Sequence, residues 1–212
     1  SFRPQRPCPS GCGAADSVND PIALIADALR NGDPIVLPTD TVYGLAALAA
    51  DRDAVAKIFA VKKRPVDIRI AVLVTDLAQA EEFVEMSPVA RCLAEAFWPG
   101  ALTIVAPRRP GCALAVGDET SVGVRCPDHP LVRELARREG PIAATSANRH
   151  GQPTPTTAAD VAAIFPKTGM IIDGGRIDGS ASTVVSVMGD VAVLRQGSVT
   201  LADINAVLKG NS

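Results

Sequence analysis

Short apolar runs, each too brief to make a helix and each closed by polar residues, recur along this chain. They stand at 35–37 (IVL), 70–74 (IAVLV), 102–106 (LTIVA), 122–125 (VGVR) and 142–145 (IAAT). Segments with helical apolar spacing separate them, at 51–62, 76–85, 88–97 and 130–138. A further helix is expected from Asp20-Pro21, a cap followed by proline in the first turn, to a stop at Gly32, with Ile22, Leu24, Ile25, Ala28 and Leu29 as its apolar stripe. Strands that alternate with helices can bury both kinds of apolar face only as layers of sheet and helix. Later the pattern changes. After a helix at 157–165, three runs at 170–173, 183–187 and 191–194 arrive close together before a last helix at 201–208. That crowding favours a mixed sheet over a purely parallel one, so the expected class is an α/β layered domain with a mixed sheet.

Composition agrees. The chain is 47% hydrophobic but 3% aromatic, so its core must be built from Ala, Val, Leu and Ile. At 212 residues it can support one good-sized core. Without an internal repeat or a linker, residues 20–212 read as a single domain, and the Pro-, Gly- and Ser-rich residues 1–19 as a disordered tail. With 21 basic and 23 acidic residues the formal net charge is −2, which gives no sign of a duplex-coating or membrane-surface protein. No apolar run approaches the roughly 18 residues of a membrane span. The N-terminal stretch has no apolar core of a signal peptide. The odd number of scattered cysteines, Cys8, Cys12, Cys92, Cys112 and Cys126, points to reduced thiols and a cytoplasmic setting. Cys8 and Cys12 resemble half a zinc site, but no second Cys/His pair has the spacing to complete it.

The sequence has no phosphate-binding G-x-x-x-x-G-K-[ST] loop, no G-x-G-x-x-G and no G-x-S-x-G, and its only histidines are His129 and His150. What it has is polar and cationic residues gathered at strand and helix ends. Thr39, Asp40, Thr41 and Tyr43 follow the first strand, where PTDTVYGL is expected to hand over to a helix. Lys62, Lys63 and Arg64 end the next helix; Ser121 and Arg125 bracket Val122-Gly123-Val124; Thr145, Ser146 and Asn148 follow Ile142-Ala143-Ala144. Ser182 and Thr183 open one late strand and Arg195 closes another. In open α/β sheets the ligand crevice lies at strand ends, and separate cations there suit a polyanion such as a triphosphate. Each piece alone also has an ordinary structural reading. TSAN is a good capped turn, KKRP a helix end favoured by the dipole, and Asp173-Gly174-Gly175 a turn.

Taken together and in order, PTDTVYGL, KKRP, FWPGALTIV, SVGVRCPDHP, TSAN with GQPTPT, STVV and LRQG span about residues 20–200 and resemble the Sua5/YrdC/YwlC family of threonylcarbamoyl-AMP synthases. The resemblance implies a twisted mixed parallel/antiparallel sheet with flanking helices and a concave cationic cavity. It implies an adenylate-forming nucleotidyltransferase that joins L-threonine, bicarbonate or CO2 and ATP into threonylcarbamoyl-AMP and pyrophosphate. That product is passed to a separate tRNA threonylcarbamoyl-transferase complex, with weak or indirect tRNA contact and no membrane partner. Carried over to this sequence, Thr41, Tyr43, Arg125, Ser146, Ser182 and Thr183 would hold threonine. Lys62, Arg64, Ser121, Asn148, Thr156 and Arg195 would face ATP, with Lys62 and Arg64 at the phosphates. Mg²⁺ would accompany the triphosphate without a recognisable carboxylate cluster. No side chain is expected to act as acid, base or nucleophile, because positioning and charge neutralisation supply the rate.

The chain departs from the family pattern after KKRP. Ile68, Arg69-Ile70 and Leu73 replace the usual Asn, Pro-Leu pair and His, so the nucleotide and threonine contacts of that Asn and His have no counterpart. Two other readings compete. One is a carbamoyl-adenylate-forming domain of the carbamoyltransferase type. The other is a non-enzymatic RNA-binding module, opposed by the net charge and by the lack of an aromatic stacking face.

Overall fold

The computed structural model describes residues 20–62, 70–149 and 151–210. Helix α1, Pro21–Arg30, begins as its sequence predicts: the Asp20 carboxylate accepts from the Ile22 N–H, and Pro21 occupies the first turn. The other helices are α2 (Arg52–Lys62), α3 (Leu77–Glu81), α4 (Pro88–Phe97), α5 (Pro130–Glu139), α6 (Ala158–Ile164) and α7 (Leu201–Gly210). The strands are β1 (Ile35–Leu37), β2 (Gly44–Leu48), β3 (Ala71–Leu73), β4 (Leu102–Pro107), β5 (Ser121–Arg125), β6 (Ile142–Ser146), β7 (Thr183–Ser186) and β8 (Ala192–Arg195). They form one sheet in the order β1-β2-β6-β3-β5-β4-β7-β8. Pairs β3–β5 and β4–β7 are parallel and the rest antiparallel, which is the mixed sheet expected.

Two expectations fail at the sheet's edge. PTDTVYGL does not lead into a helix; it turns back as β2, a strand absent from the sequence reading. Gly44-Leu45-Ala46-Ala47-Leu48 carries good helix formers. Yet it is paired on both sides, by β1 and β6, and its first four residues are buried, so sheet packing overrides propensity. Conversely, residues 170–173 make a single bridge, Ile171 to Val36, and no strand. Val36 N–H donates to Met170 O and Ile172 N–H to Val36 O. The next rung would need an N–H from Pro38, which has none.

Strand alternation assigns the two faces. Leu45, Val72, Leu102, Ile104, Val122, Val124, Ala143 and Val185 point into the larger core, where α2, α3, α4, α6 and α7 contribute Ile58, Ala80, Leu93, Val161 and Ile204. The opposite face is only half covered. Helices α1 and α5 lay Ile25, Leu29, Val132 and Leu135 over Ile35, Leu37, Ala46, Leu73 and Ile142. Beyond them no described helix covers the same face, and its residues form the floor of a cavity.

Candidate active site

The uncovered half of the sheet holds a cavity of about 210 Å³. Its floor comes from the alternate residues of the inner strands: Ala71 and Leu73, Thr103 and Val105, Gly123 and Arg125, Ala144 and Ser146. Its rim comes from the loop after β1 (Thr39, Thr41, Val42) and from Ala181, Ser182 and Arg195 at the far edge. Among these described lining residues two are cationic, Arg125 and Arg195, and none is acidic.

Arg125 ends β5 and is 5% exposed. Its Nε donates to Gly100 O at 2.9 Å, Nη1 to Thr41 Oγ1 at 2.9 Å, and Nη2 to Asp40 Oδ1 at 2.5 Å. A guanidinium has five N–H groups, so two remain without a partner among the described residues. Burial lowers its pKa and the Asp40 carboxylate opposes that shift; an arginine so placed stays charged. Thr39 organises the loop beneath it. Its hydroxyl donates to Val42 O at 2.7 Å and accepts from the N–H of Thr41 and of Val42. With that proton committed, the 3.0 Å pair between Thr39 and Thr41 hydroxyls has Thr41 as donor. Thr41 therefore accepts from Arg125 and gives to Thr39, which fixes its rotamer at the cavity wall.

At the opposite rim Ser182 Oγ lies 2.8 Å from Thr103 Oγ1. Arg195 donates through Nε and Nη2 to Ser182 O, at 3.1 and 2.9 Å, and through Nη2 to Ser182 Oγ at 3.1 Å. These contacts tie the end of β8 to the start of β7.

Other expected residues stand further off. Tyr43 does not line the cavity. Alternation places it on the other face, fully buried in the larger core, with its hydroxyl donating to Gly175 O at 2.6 Å and accepting from Gly174 N–H at 3.0 Å. It pins the 173–175 segment against the loop after β1. Tyr43→Phe is expected to cost about 1–2 kcal/mol by removing those two hydrogen bonds. That is a fall of about 2–8 °C in Tm for a domain of this size, and an unchanged melt would refute the tether. Lys62 is 3% exposed, and its ammonium donates to Thr145 Oγ1 at 3.3 Å, to Ser146 O, and to Asn148 Oδ1 at 3.4 Å. It braces the cavity wall at the end of β6 and does not line the cavity itself. Asn148 accepts from Ser146 Oγ at 2.6 Å and donates to Gln152 O at 2.6 Å, holding the turn after β6.

Ser121 shares the Arg125 face of β5 at the strand's other end, where its hydroxyl donates to Asp118 Oδ2 at 2.9 Å. Desolvation opposes charge on Asp118, but hydrogen bonds from Thr120 and Ser121 outweigh it and take its pKa to about 2. Thr183 is buried and donates to Val199 O at 2.6 Å, while Thr156 O accepts from Ile177 N–H at 2.8 Å. Neither lines the cavity. Arg64, Lys63, Ile68, Arg69, Cys8, Cys12 and His150 lie outside the described residues. Among those described there is no cluster of three potential metal ligands, and no helix is long and apolar enough to cross a membrane.

Several participants carried no assigned role in the sequence reading. Asp40 and the Gly100 carbonyl complete the Arg125 cage, and Thr103 joins Ser182. Thr103 was legible as the one polar residue within LTIVA. Nothing in the sequence marks a backbone carbonyl 25 positions away as an arginine's partner.

The class this defines is an open mixed α/β sheet whose uncovered face carries a small cavity lined by two arginines and several Ser and Thr hydroxyls. The chain belongs to the Sua5/YciO/YrdC family, whose profile, described as "Telomere recombination", matches residues 27–197. It is 44% identical over 201 residues to the threonylcarbamoyl-AMP synthase of Bacillus subtilis, covering 91% of this chain and 58% of that protein. It is 37% identical to the putative threonylcarbamoyl-AMP synthase of Mycobacterium tuberculosis, with 93% of each chain covered. The structure of Pyrococcus abyssi Sua5 complexed with L-threonine superposes with a TM-score of 0.82 at 37% identity, over 88% of this chain and 57% of that one. The chain thus spans a little under three fifths of the Bacillus and Pyrococcus relatives.

Proposed function

We propose that this protein is an L-threonylcarbamoyladenylate synthase. It takes L-threonine, bicarbonate or CO2, and ATP to threonylcarbamoyl-AMP and pyrophosphate for tRNA threonylcarbamoyladenosine formation. The observation that supports this most directly is the Arg125 cage: a buried guanidinium with two N–H groups to spare, facing a small cavity beside Thr41. A fork of N–H donors suits a carboxylate. A relative of the same fold has been solved with L-threonine.

In this reading Arg125 takes the threonine carboxylate, and Thr41, Ser146 and Ser182 supply hydroxyls around the amino acid. The threonine amine and CO2 give a carbamate, whose oxygen attacks the α-phosphorus of ATP as pyrophosphate leaves. The residues assigned to the nucleotide are Lys62, Arg64, Ser121, Asn148, Thr156 and Arg195. Of the described ones Arg195 has direct access to the cavity, while Lys62 and Asn148 act through the wall they hold. Mg²⁺ enters with the triphosphate, since the described lining residues offer no carboxylate for it. Charge neutralisation and alignment account for the rate. The product is unstable cargo for a tRNA-modifying transferase, and the setting is the cytoplasm.

Mixing the protein with ATP, Mg²⁺, bicarbonate and threonine is expected to release pyrophosphate only when threonine is present. Release equal to the blank without threonine would overturn the assignment. Release driven by carbamoyl phosphate with threonine inert would move it to carbamoyl-adenylate chemistry.

A further inference from the structure

The floor of the cavity contains a glycine that the fold does not require. Gly123 sits mid-strand in β5, beside Val105 of β4 and one step down the register from the Val72–Val124 pair that joins β5 to β3. Glycine in such a place ordinarily answers a left-handed backbone, a bulge or a close backbone approach. None applies. Gly123 is not among the residues with positive φ, and the β4–β5 register runs without a shift. A Cβ built at 123 would meet Thr103 Cγ2 at 3.4 Å and Val105 Cγ2 at 3.7 Å, both ordinary contacts with side chains. A strand interior is weakened by glycine, which fixes more chain entropy and packs no side chain. Folding alone would favour alanine here.

What the glycine provides is reachable floor. Gly123 is partly accessible from the cavity while Val122 and Val124 on either side are buried. A second observation points to a ligand at that spot. Arg125 is the next residue on the same face, is 5% exposed, and keeps two N–H groups unpartnered among the described residues while lining the same cavity. Residues two apart on a strand are about 7 Å apart, close to the length of a small amino acid lying along the strand from an anchored carboxylate. We propose that Gly123 is a specificity-determining residue, its bare backbone forming the surface on which the body of a small α-amino acid held by Arg125 rests. It sets the depth of the pocket and so the size of amino acid admitted. This rests on the reading of the cavity as an amino-acid site.

The experiment is calorimetry with L-threonine and with ATP, and thermal melting, on wild type, Gly123→Ala and Gly123→Val. The expected result is a threonine Kd raised at least about tenfold in Gly123→Ala and further in Gly123→Val. ATP affinity should stay within about threefold, and the melting temperature should not fall. Three outcomes overturn the proposal: threonine affinity within threefold of wild type in Gly123→Val, ATP weakened as much as threonine, or loss of a cooperative melt, which would show that the glycine serves the fold. Wild type that binds no threonine would instead bring down the amino-acid reading itself, a result visible before any variant is made.

Discussion

Replacing Arg125 with alanine is expected to weaken threonine binding at least about 30-fold while leaving ATP affinity within about threefold. The guanidinium gives Nε to Gly100 O, Nη1 to Thr41 Oγ1 and Nη2 to Asp40 Oδ1, which leaves two N–H groups without a partner among the described residues. Truncating one partner of a buried, hydrogen-bonded charge pair costs about 2–5 kcal/mol or more, which spans about 30-fold to several thousand-fold in affinity. Part of that cost falls on stability, because the Asp40 carboxylate, 15% exposed, would lose its partner. Arg125→Ala combined with Asp40→Asn separates the two effects: the double variant should recover stability without recovering threonine. Arg125→Lys should also fail, since an ammonium cannot fork a carboxylate while holding Gly100 and Thr41 in place. Calorimetry with threonine and ATP in turn checks each variant. Threonine affinity unchanged in Arg125→Ala would remove this arginine from the site.

A second large effect is expected from one added methyl. A Cβ at Gly197 would lie 2.1 Å from Ala181 O, 2.5 Å from Thr183 N and 2.6 Å from Ser182 C, all of them backbone. None of these can swing aside as a side-chain end could. Gly197 N–H also donates to Thr183 Oγ1 at 2.8 Å, so the close approach is itself part of how the chain after β8 locks onto the start of β7. Forcing backbones apart exceeds ordinary overpacking, which costs about 1–3 kcal/mol. Gly197→Ala should therefore lower stability by about 3 kcal/mol, or about 6–12 °C in Tm for a domain of this length. Displacing residues 181–183 should also disturb Ser182 and Arg195, weakening ligand binding at that rim. Gly189→Ala is the control: nothing lies within 4 Å of its Cβ position and its φ is not in the left-handed region. Its melt should match wild type within about 0.5 kcal/mol. Equal melts for Gly197→Ala and Gly189→Ala would refute the packing argument.

How much of this was legible beforehand varies by element. Eight strands and seven helices were expected; all seven helices and seven of those strands occur close to the expected places, and the eighth, at 170–173, proved to be one bridge. Helix α1 announced itself through the Asp20 cap with Pro21, and the structure shows Ser87 and Thr157 capping α4 and α6 in the same local way. β2 was illegible because nothing local distinguishes its alanines from those of a helix; its partners, residues 35–37 and 142–146, decide it. For the candidate site, Thr41, Arg125, Ser146, Ser182 and Arg195, separated in the chain, line one cavity. Tyr43, Lys62, Ser121, Asn148, Thr156 and Thr183 do not line it. Their polar groups are engaged with the scaffold through contacts that, for Lys62 and Thr145, span 83 positions of chain.

The sequence by itself determined the periodicities, the caps and the family, since these depend on residue order and on interactions within a turn or two. It also put cations and hydroxyls at strand ends. Tertiary structure alone decided which of those ends meet. It paired Arg125 with Asp40 and Gly100, turned Tyr43 into the core, and left Gly123 bare at the centre of an open sheet face. Those outcomes depend on strand order and on which face the helices leave uncovered. Both follow from the summed packing of the whole chain, and no segment carries that sum within itself.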